Sequence, residues 1–183
     1  MVLLHSPPGE LGAFAPDFNL PGVDGHQHTL EEYSASKVLV VMFICNHCPY
    51  VQAIEDRLIA LTHALSAQQV QFVGISSNDP TNYPEDSFAN MQAKAKKKSY
   101  PFAYLYDATQ ETAKAYGAVC TPDFFVYDAQ RKLRYRGRLD DSPRNPAAVR
   151  RQELKEAVLA ILEGRPVSAH QNTTMGCSIK WKE

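Results

Sequence analysis

The sequence lacks an apolar run long enough to cross a bilayer. Its longest such run, Val38–Cys45, is less than half of the roughly 20 residues that a membrane-spanning helix needs. The opening residues also lack the basic start and the apolar stretch of about 7–15 residues that mark a secretory signal. We therefore expect a cytoplasmic protein for which a membrane is not a partner.

The sequence also has no large excess of positive or negative charge, and it has few cysteines. The formal net charge is −1, with 19 Lys and Arg against 20 Asp and Glu, so we expect no nucleic acid partner. Four cysteines in 183 residues, scattered widely, do not suit a framework of structural disulfides. The sequence has no internal repeat and no low-complexity segment. Its length predicts a single domain over residues 1–183.

Hydrophobic periodicity predicts strands and helices in alternation. Val38–Ile44 is a continuous apolar run, typical of a strand that is covered on both faces. Apolar residues at intervals of three and four follow it from Val51 to Leu65, and Pro49 suits the first turn of that helix. The other predicted elements are a hairpin from Asp17–Leu20 and His26–Leu30, strands at Gln71–Ser76, Phe102–Tyr106, Asp123–Asp128 and Lys132–Arg138, and helices at Pro84–Ser99, Thr109–Tyr116 and Pro146–Leu162. The order predicts an α/β fold with a mixed sheet and helices on both faces.

The strand at Lys132–Arg138 alternates in polarity. Leu133 and Tyr135 point one way and Arg134 and Arg136 the other, so we expect an outer strand with both arginines on a solvated face. Residues 167–183 have no periodicity that assigns them to a helix or a strand.

The most informative motif is Cys45-Asn46-His47-Cys48, at the junction of a buried strand and a helix. Unpaired N–H groups and the helix dipole at a helix N-terminus stabilise a thiolate, which is the reactive form of cysteine. Two intervening residues let the two sulfurs close and reopen a disulfide with little backbone movement. His47 would favour the thiolate if protonated, or it is a bystander. The motif is also half of a zinc site, which needs two further ligands, but there is no second CxxC and we expect no metal.

The strand, the CxxC, the helix and the later Thr121-Pro122 with its following hairpin resemble the thioredoxin superfamily. The resemblance implies a thioredoxin fold in which Pro122 follows a cis peptide bond. It also implies that Thr121 and Pro122 lie against the CxxC and help to bind substrate thiols. An ordinary trans-proline turn is the alternative.

The N-terminal part resembles the peroxiredoxin branch, that is, the AhpC/TSA type. The similarity lies in Ala15-Pro16-Asp17-Phe18, the hairpin after it, and Leu30-Glu31-Glu32-Tyr33. It implies a thioredoxin fold with an N-terminal β-hairpin extension. The resemblance covers residues 13–163 as a core and leaves 164–183 as a C-terminal tail.

The peroxiredoxin signature P-x-x-x-T-x-x-C-P is only partly present. Cys48-Pro49 matches its final pair, but the signature proline falls on Val41 and its threonine on Cys45. The downstream arginine of the family would fall near Pro122. The groups that orient a peroxide are therefore missing from their usual places, and a thioredoxin-style CxxC stands there instead.

Two further cysteines are candidate auxiliary thiols. Cys120 directly precedes Thr121, so the fold would bring it near the CxxC, although buried free cysteines are often only small core residues. Cys177 lies in the tail. By analogy with peroxiredoxins whose tail cysteine resolves the oxidised one, sometimes between subunits, Cys177 is a candidate resolving thiol and a homodimer stays open.

These features predict an antioxidant thiol–disulfide oxidoreductase of peroxiredoxin-like type, with a reversible Cys45–Cys48 disulfide. Thioredoxin chemistry would make Cys45 the nucleophile and Cys48 the resolving thiol, and peroxiredoxin chemistry would reverse them. The substrate would be a disulfide or a peroxide. Electrons would come from a dithiol protein such as a thioredoxin system, without an organic cofactor.

Two alternatives remain. The first is a thiol-dependent peroxidase with Cys48 as the peroxidatic cysteine. The second, of another class, is a thioredoxin-fold metallochaperone that binds Cu(I) or zinc through two cysteines and a distant histidine. Such copper chaperones have three residues between their cysteines, whereas this chain has two. No histidine lies between His63 and His170 to act as the distant ligand.

Overall fold

The computed structural model describes residues 3–182. Its strands are β1 (Leu3–His5), β2 (Asn19–Pro21), β3 (Gln27–Thr29), β4 (Val38–Phe43), β5 (Val70–Ser76), β6 (Ala103–Tyr106), β7 (Cys120–Thr121), β8 (Asp123–Tyr127), β9 (Leu133–Gly137) and β10 (Met175–Ser178). Its α-helices are α1 (Pro49–Leu65), α2 (Phe88–Lys98), α3 (Glu111–Tyr116) and α4 (Glu153–Leu162). None of the helices in this part of the chain has the length and apolarity to cross a membrane.

A mixed sheet with the strand order β6-β5-β4-β8-β9 forms the centre of the fold. β4, β5 and β6 run parallel, and β8 and β9 are antiparallel to their neighbours. β2 and β3 form the N-terminal hairpin. This is the thioredoxin fold with an N-terminal β-hairpin, as the sequence predicts.

Two hydrophobic cores lie on opposite faces of this sheet. Along β4, Val38, Val40 and Met42 pack into the core that contains the apolar residues of α1 and α4. The alternate residues of β4 pack into the second core, with α3 and the N-terminal hairpin. Because both faces are covered, every residue of β4 is buried. Each such side chain contributes about 1.5–3 kcal/mol to folding.

Two predicted helices begin later than the apolar pattern indicates. α2 starts at Phe88 rather than Pro84, because Ser87 is extended and its side chain caps the helix by accepting the N–H of Asn90. α4 starts at Glu153. The prolines that suit a helix start begin separate 3₁₀ turns instead, at Pro84–Asp86 and Pro146–Ala148.

The tail has a defined place in the structure. β10 lies between β1 and β7 in a second, three-stranded antiparallel sheet. Close approach to β7 requires a glycine: a Cβ on Gly176 would lie 1.9 Å from the carbonyl oxygen of Thr121. Glycine in a strand weakens the strand pattern in a sequence, which is why periodicity does not reveal β10.

The expectation that Arg136 lies on a solvated face is wrong. Arg134 is exposed, but Arg136 is buried. Its Nη2 donates to Asp123 Oδ2 at 2.9 Å and to the carbonyl of Gly117 at 2.7 Å, and its guanidinium lies over the ring of Phe125. Burial raises the pKa of Asp123 to about 7, although Arg136 opposes the shift. Arg136 therefore forms a buried ion pair with Asp123, whereas the sequence predicts a solvated charge at this position.

Replacing one partner of this pair tests its contribution to stability. Arg136→Met leaves the buried Asp123 carboxylate without its cation, so we expect a loss of about 3–5 kcal/mol in the free energy of unfolding at pH 8. Arg134→Gln, on the same strand, removes an exposed guanidinium from Asp128, which keeps the backbone N–H groups of Gln130 and Lys132 as donors; we expect a cost of about 1 kcal/mol or less. Chemical denaturation measures both. Equal losses in the two variants would show that the Arg136–Asp123 pair contributes no more to the free energy of unfolding than the pair made by Arg134.

Candidate active site

The cysteines of the CxxC lie at the C-terminal end of β4 and the N-terminus of α1. Cys48 is the N-cap of α1 and Pro49 opens the helix. Cys45 is 2% exposed and Cys48 is 0% exposed. The predicted strand-to-helix junction therefore exists, and it places the Cys48 sulfur at the positive end of a helix dipole.

The Thr121-Pro122 peptide bond is cis, as the resemblance implies. It lies beside the cysteines because β4 and β8 are antiparallel neighbours, with Phe43 opposite Asp123, so that the end of one meets the start of the other. The Thr121 hydroxyl is 3.4 Å from the sulfur of Cys45. The Thr121 carbonyl oxygen is 3.2 Å from the sulfur of Cys48.

The tail strand brings a third sulfur to the pair. Cys177 is paired in register with Thr121 across β10 and β7. Its Sγ lies 2.8 Å from the Sγ of Cys48. Cys48 is thus close to Cys177 in space and to Cys45 within the CxxC, so that thiols from two distant parts of the chain meet here.

Cys120 is buried and is paired in register with Ser178. Burial, together with the nearby Asp123, raises the pKa of its thiol. A thiol that resists deprotonation is a poor nucleophile, so this environment favours a core residue over a redox partner.

The two central cysteines have opposite electrostatic preferences. Hydrogen bonds lower the pKa of Cys48: the thiol of Cys45 makes the largest contribution, and that of Cys177 and the backbone N–H of Val51 add to it, while burial opposes the shift. Burial raises the pKa of Cys45, with further contributions from Cys48 and the carboxylate of Asp86. The carbonyl of Thr121, 3.2 Å from Cys48 Sγ, favours the protonated form of Cys48. The opposite pKa shifts make Cys48, rather than Cys45, the cysteine that forms a thiolate more readily.

Asp86 anchors the segment between the cysteines. Its Oδ1 accepts the backbone N–H groups of Asn46 at 2.7 Å and His47 at 3.1 Å. Its Oδ2 lies 2.5 Å from His47 Nδ1 and accepts the amide of Asn78 at 2.7 Å. Burial alone would raise the pKa of Asp86, but the bonds from His47 and Asn78 lower it. The site therefore holds a buried carboxylate.

His47 is held in place within this network. Its side chain is 8% exposed, and its ring stacks on Tyr83 with centroids 4.6 Å apart. Its Nδ1 is 3.9 Å from the sulfur of Cys45. Its Nε2 is buried without a hydrogen-bond partner among the described residues. His47 is part of the site, oriented by Asp86.

Sequence reasoning missed Asp86 and Asn78. A usable signal exists: β5 lies parallel to β4, so polar residues that follow β5 reach the edge at which the CxxC stands. Ser77-Asn78-Asp79 follows β5 directly. Asp86 is harder to find, because a 3₁₀ turn at Pro84–Asp86 returns it to the same edge.

A cavity of about 160 Å³ opens beside the cis-proline. Tyr50, Pro122 and Met175, which flank the three sulfurs in the sequence, are among its lining residues. A larger groove of about 900 Å³ lies next to the N-terminal hairpin, and no cysteine lines either opening. The smaller cavity is the one of the two that adjoins the cis-proline.

Comparison with known proteins gives the family of the chain. The family model for the AhpC/TSA family matches residues 11–136. The chain belongs to the AhpC/TSA family. No curated protein matches it.

Solved structures include close relatives. An uncharacterized conserved protein from Geobacillus kaustophilus is 48% identical with a TM-score of 0.95, over 100% of this chain and 97% of its own. A hypothetical protein from Sinorhizobium meliloti is 42% identical with a TM-score of 0.93, over 97% and 98% of the two chains. A secreted disulfide oxidoreductase from Mycobacterium tuberculosis is 25% identical with a TM-score of 0.60, over 78% and 95%. The AhpC/TSA chain is thus similar to thioredoxin-like redox proteins.

Gly176→Ala tests whether β10 holds Cys177 against Cys48. The added Cβ would meet the Thr121 backbone, so β10 must move away, and we expect a loss of about 1–3 kcal/mol in the free energy of unfolding. Alkylation of Cys177 in the folded protein should also become faster. Ser178→Ala, on the same strand, is the control. Unchanged alkylation of Cys177 in the Gly176 variant would contradict the close approach of the two strands.

Proposed function

We propose that this AhpC/TSA protein is a thiol–disulfide oxidoreductase that cycles Cys45 and Cys48 between dithiol and disulfide. One observation carries the proposal: the two cysteines stand at a helix N-terminus with both sulfurs against the cis-proline loop. The helix N-terminus supports the thiolate, and the adjacent second thiol can displace a bound sulfur without a large movement of the chain.

Cys48 is the attacking sulfur in this proposal. It is the N-cap residue of α1 and the cysteine whose pKa is lowered, whereas burial and the Asp86 carboxylate raise the pKa of Cys45. This order is the one that peroxiredoxin chemistry implies and the reverse of the thioredoxin order. Cys48 is fully buried, and we propose that a substrate sulfur approaches it beside Pro122, from the side of the small cavity lined by Tyr50 and Met175.

Reduction of a disulfide then takes two exchanges. The Cys48 thiolate attacks one sulfur of the substrate, which forms a mixed disulfide and releases the other sulfur as a thiolate. Cys45 loses its proton and attacks the Cys48 sulfur, which forms the Cys45–Cys48 disulfide and releases the second thiolate. An external dithiol protein, such as a thioredoxin, returns the two electrons.

Cys177 is the second thiol that can resolve a mixed disulfide at Cys48. Its sulfur lies 2.8 Å from that of Cys48, on the paired strand β10. A Cys48–Cys177 disulfide would join residues 129 positions apart, whereas Cys45–Cys48 closes only one turn. We propose that Cys45 resolves first and that Cys177 acts when Cys45 is absent or engaged.

Peroxide reduction is the second candidate, favoured by the stabilised thiolate at Cys48. The Cys48 thiolate would attack the peroxide, release an alcohol or water after protonation, and become a sulfenic acid. Cys45 would then form the disulfide and release water. Val41 and Cys45 occupy the places of the signature proline and threonine, so nothing recognisable orients the peroxide, and we expect this reaction to be slower.

Single serine variants decide the roles. Cys48→Ser should lower disulfide reduction at least about a hundredfold, because it removes the nucleophile. Cys45→Ser should retain the first exchange and accumulate either a mixed disulfide on Cys48 or a Cys48–Cys177 disulfide. Turnover with a disulfide substrate and with hydrogen peroxide, followed by mass spectrometry of the trapped species, provides the measurement.

Cys120→Ser is the matched control, since it removes a buried cysteine that the proposed reaction does not use. Its activity should equal that of the unmodified protein. A mixed disulfide trapped on Cys45 in the Cys48→Ser variant would restore the thioredoxin order. Fast peroxide turnover that is lost in Cys48→Ser would make the second candidate the principal function.

A further inference from the structure

We propose that the reduced protein binds a divalent metal ion of the zinc class through Cys45, His47 and Asp86. Cys45 Sγ, His47 Nδ1 and a carboxylate oxygen of Asp86 lie within 4.8 Å of one another. Thiolate, imidazole and carboxylate are the three kinds of protein ligand that Zn²⁺ accepts. The site is separate from the Cys48–Cys177 contact, and the redox chemistry proposed above does not require it.

The observed distances are close to those of a tetrahedral ion. At Zn–S about 2.3 Å and Zn–N about 2.0 Å, two ligands of such an ion lie about 3.5 Å apart. The sulfur of Cys45 and Nδ1 of His47 are 3.9 Å apart. His47 Nδ1 and Asp86 Oδ2, at 2.5 Å, share a proton that the metal would replace, and they would separate to about 3.3 Å.

The ligands are already held by a second layer of contacts. Asp86 is fixed by Asn78 and by two backbone N–H groups of the Cys45–Cys48 segment. The ring of His47 is fixed by stacking on Tyr83. Hydrogen-bonded outer partners that orient the ligands are the usual companions of a metal site. Binding of the ion would therefore require little additional ordering of the ligand side chains.

The charge of the site also favours a cation. Asp86 is fully buried, and among residues 3–182 its recorded ion pair is with His47 and not with a lysine or arginine. A divalent ion that displaces the proton of Cys45 would neutralise this carboxylate and the resulting thiolate together.

This site differs from the metallochaperone arrangement considered from the sequence. That arrangement needs a distant histidine, which the chain lacks between His63 and His170. In the structure the histidine is His47, within the CxxC itself, and the third ligand comes from the loop after β5. A Cys45–Cys48 disulfide would remove the thiolate ligand, so metal binding and oxidation should exclude each other.

Zinc titration of the reduced, metal-stripped protein against a chromophoric chelator tests the proposal. We expect one ion per chain, and slower alkylation of Cys45 in its presence. His47→Gln and Asp86→Asn should each weaken binding at least about tenfold, the loss that even an outer partner of a metal ligand causes. The matched controls are His63→Gln, at an exposed position, and Asp79→Asn, whose carboxylate accepts hydrogen bonds from Thr81 and not from the site; both should bind normally.

Cobalt(II) supplies an independent readout. We expect a thiolate-to-cobalt charge-transfer band that Cys45→Ser removes and Cys120→Ser retains, with circular dichroism confirming that each variant is folded. Binding that survives in both His47→Gln and Asp86→Asn would overturn the proposal, and so would the absence of stoichiometric binding to the unmodified chain. Loss of the band in Cys48→Ser alone, with Cys45→Ser unaffected, would also overturn it.

Discussion

Antiparallel pairing of β4 with β8 is the contact on which the site depends. With Phe43 opposite Asp123, the residues that follow β4 meet the residues that precede β8 at one edge of the sheet. The first group supplies the CxxC and the second supplies the cis-proline loop. The same loop contains β7, on which β10 pairs and through which Cys177 reaches the site. Because side chains alternate along a strand, a shift of one residue in this register would move the CxxC away from the cis-proline loop and Cys177.

Because the site is buried, its charged groups depend on hydrogen bonds from the protein. A thiolate and a carboxylate removed from water are costly unless they receive hydrogen bonds. Cys48 receives them from a helix N-terminus and from neighbouring thiols, and Asp86 receives them from two backbone N–H groups, Asn78 and His47. The negative charges are therefore separated, with the carboxylate next to Cys45 and the thiolate at Cys48. This separation underlies both the proposed order of attack and the proposed cation site.

Sequence reasoning succeeded where the signal is local. The CxxC at the strand-to-helix junction, the cis-proline and the buried strand β4 follow from neighbouring residues or from a motif. It failed where a long-range contact decides the outcome. Arg136 alternates like a solvated residue, but it lies opposite Phe125 in the β8–β9 pairing and forms a buried ion pair with Asp123 of the same neighbouring strand. Asp86 belongs to the site only because a turn far along the chain returns it there. β10 depends on a glycine, which carries no hydrophobic pattern.

Redox titration read out cysteine by cysteine tests the central claim most directly. The protein would be equilibrated in thiol–disulfide buffers of graded ratio, quenched in acid, unfolded, and mapped by differential alkylation and mass spectrometry. The account predicts that Cys45 and Cys48 lose their thiols together in one two-electron transition, while Cys120 remains alkylatable throughout. In Cys45→Ser the transition should instead join Cys48 to Cys177. A Cys48 that stays a free thiol while other cysteines pair would contradict the account.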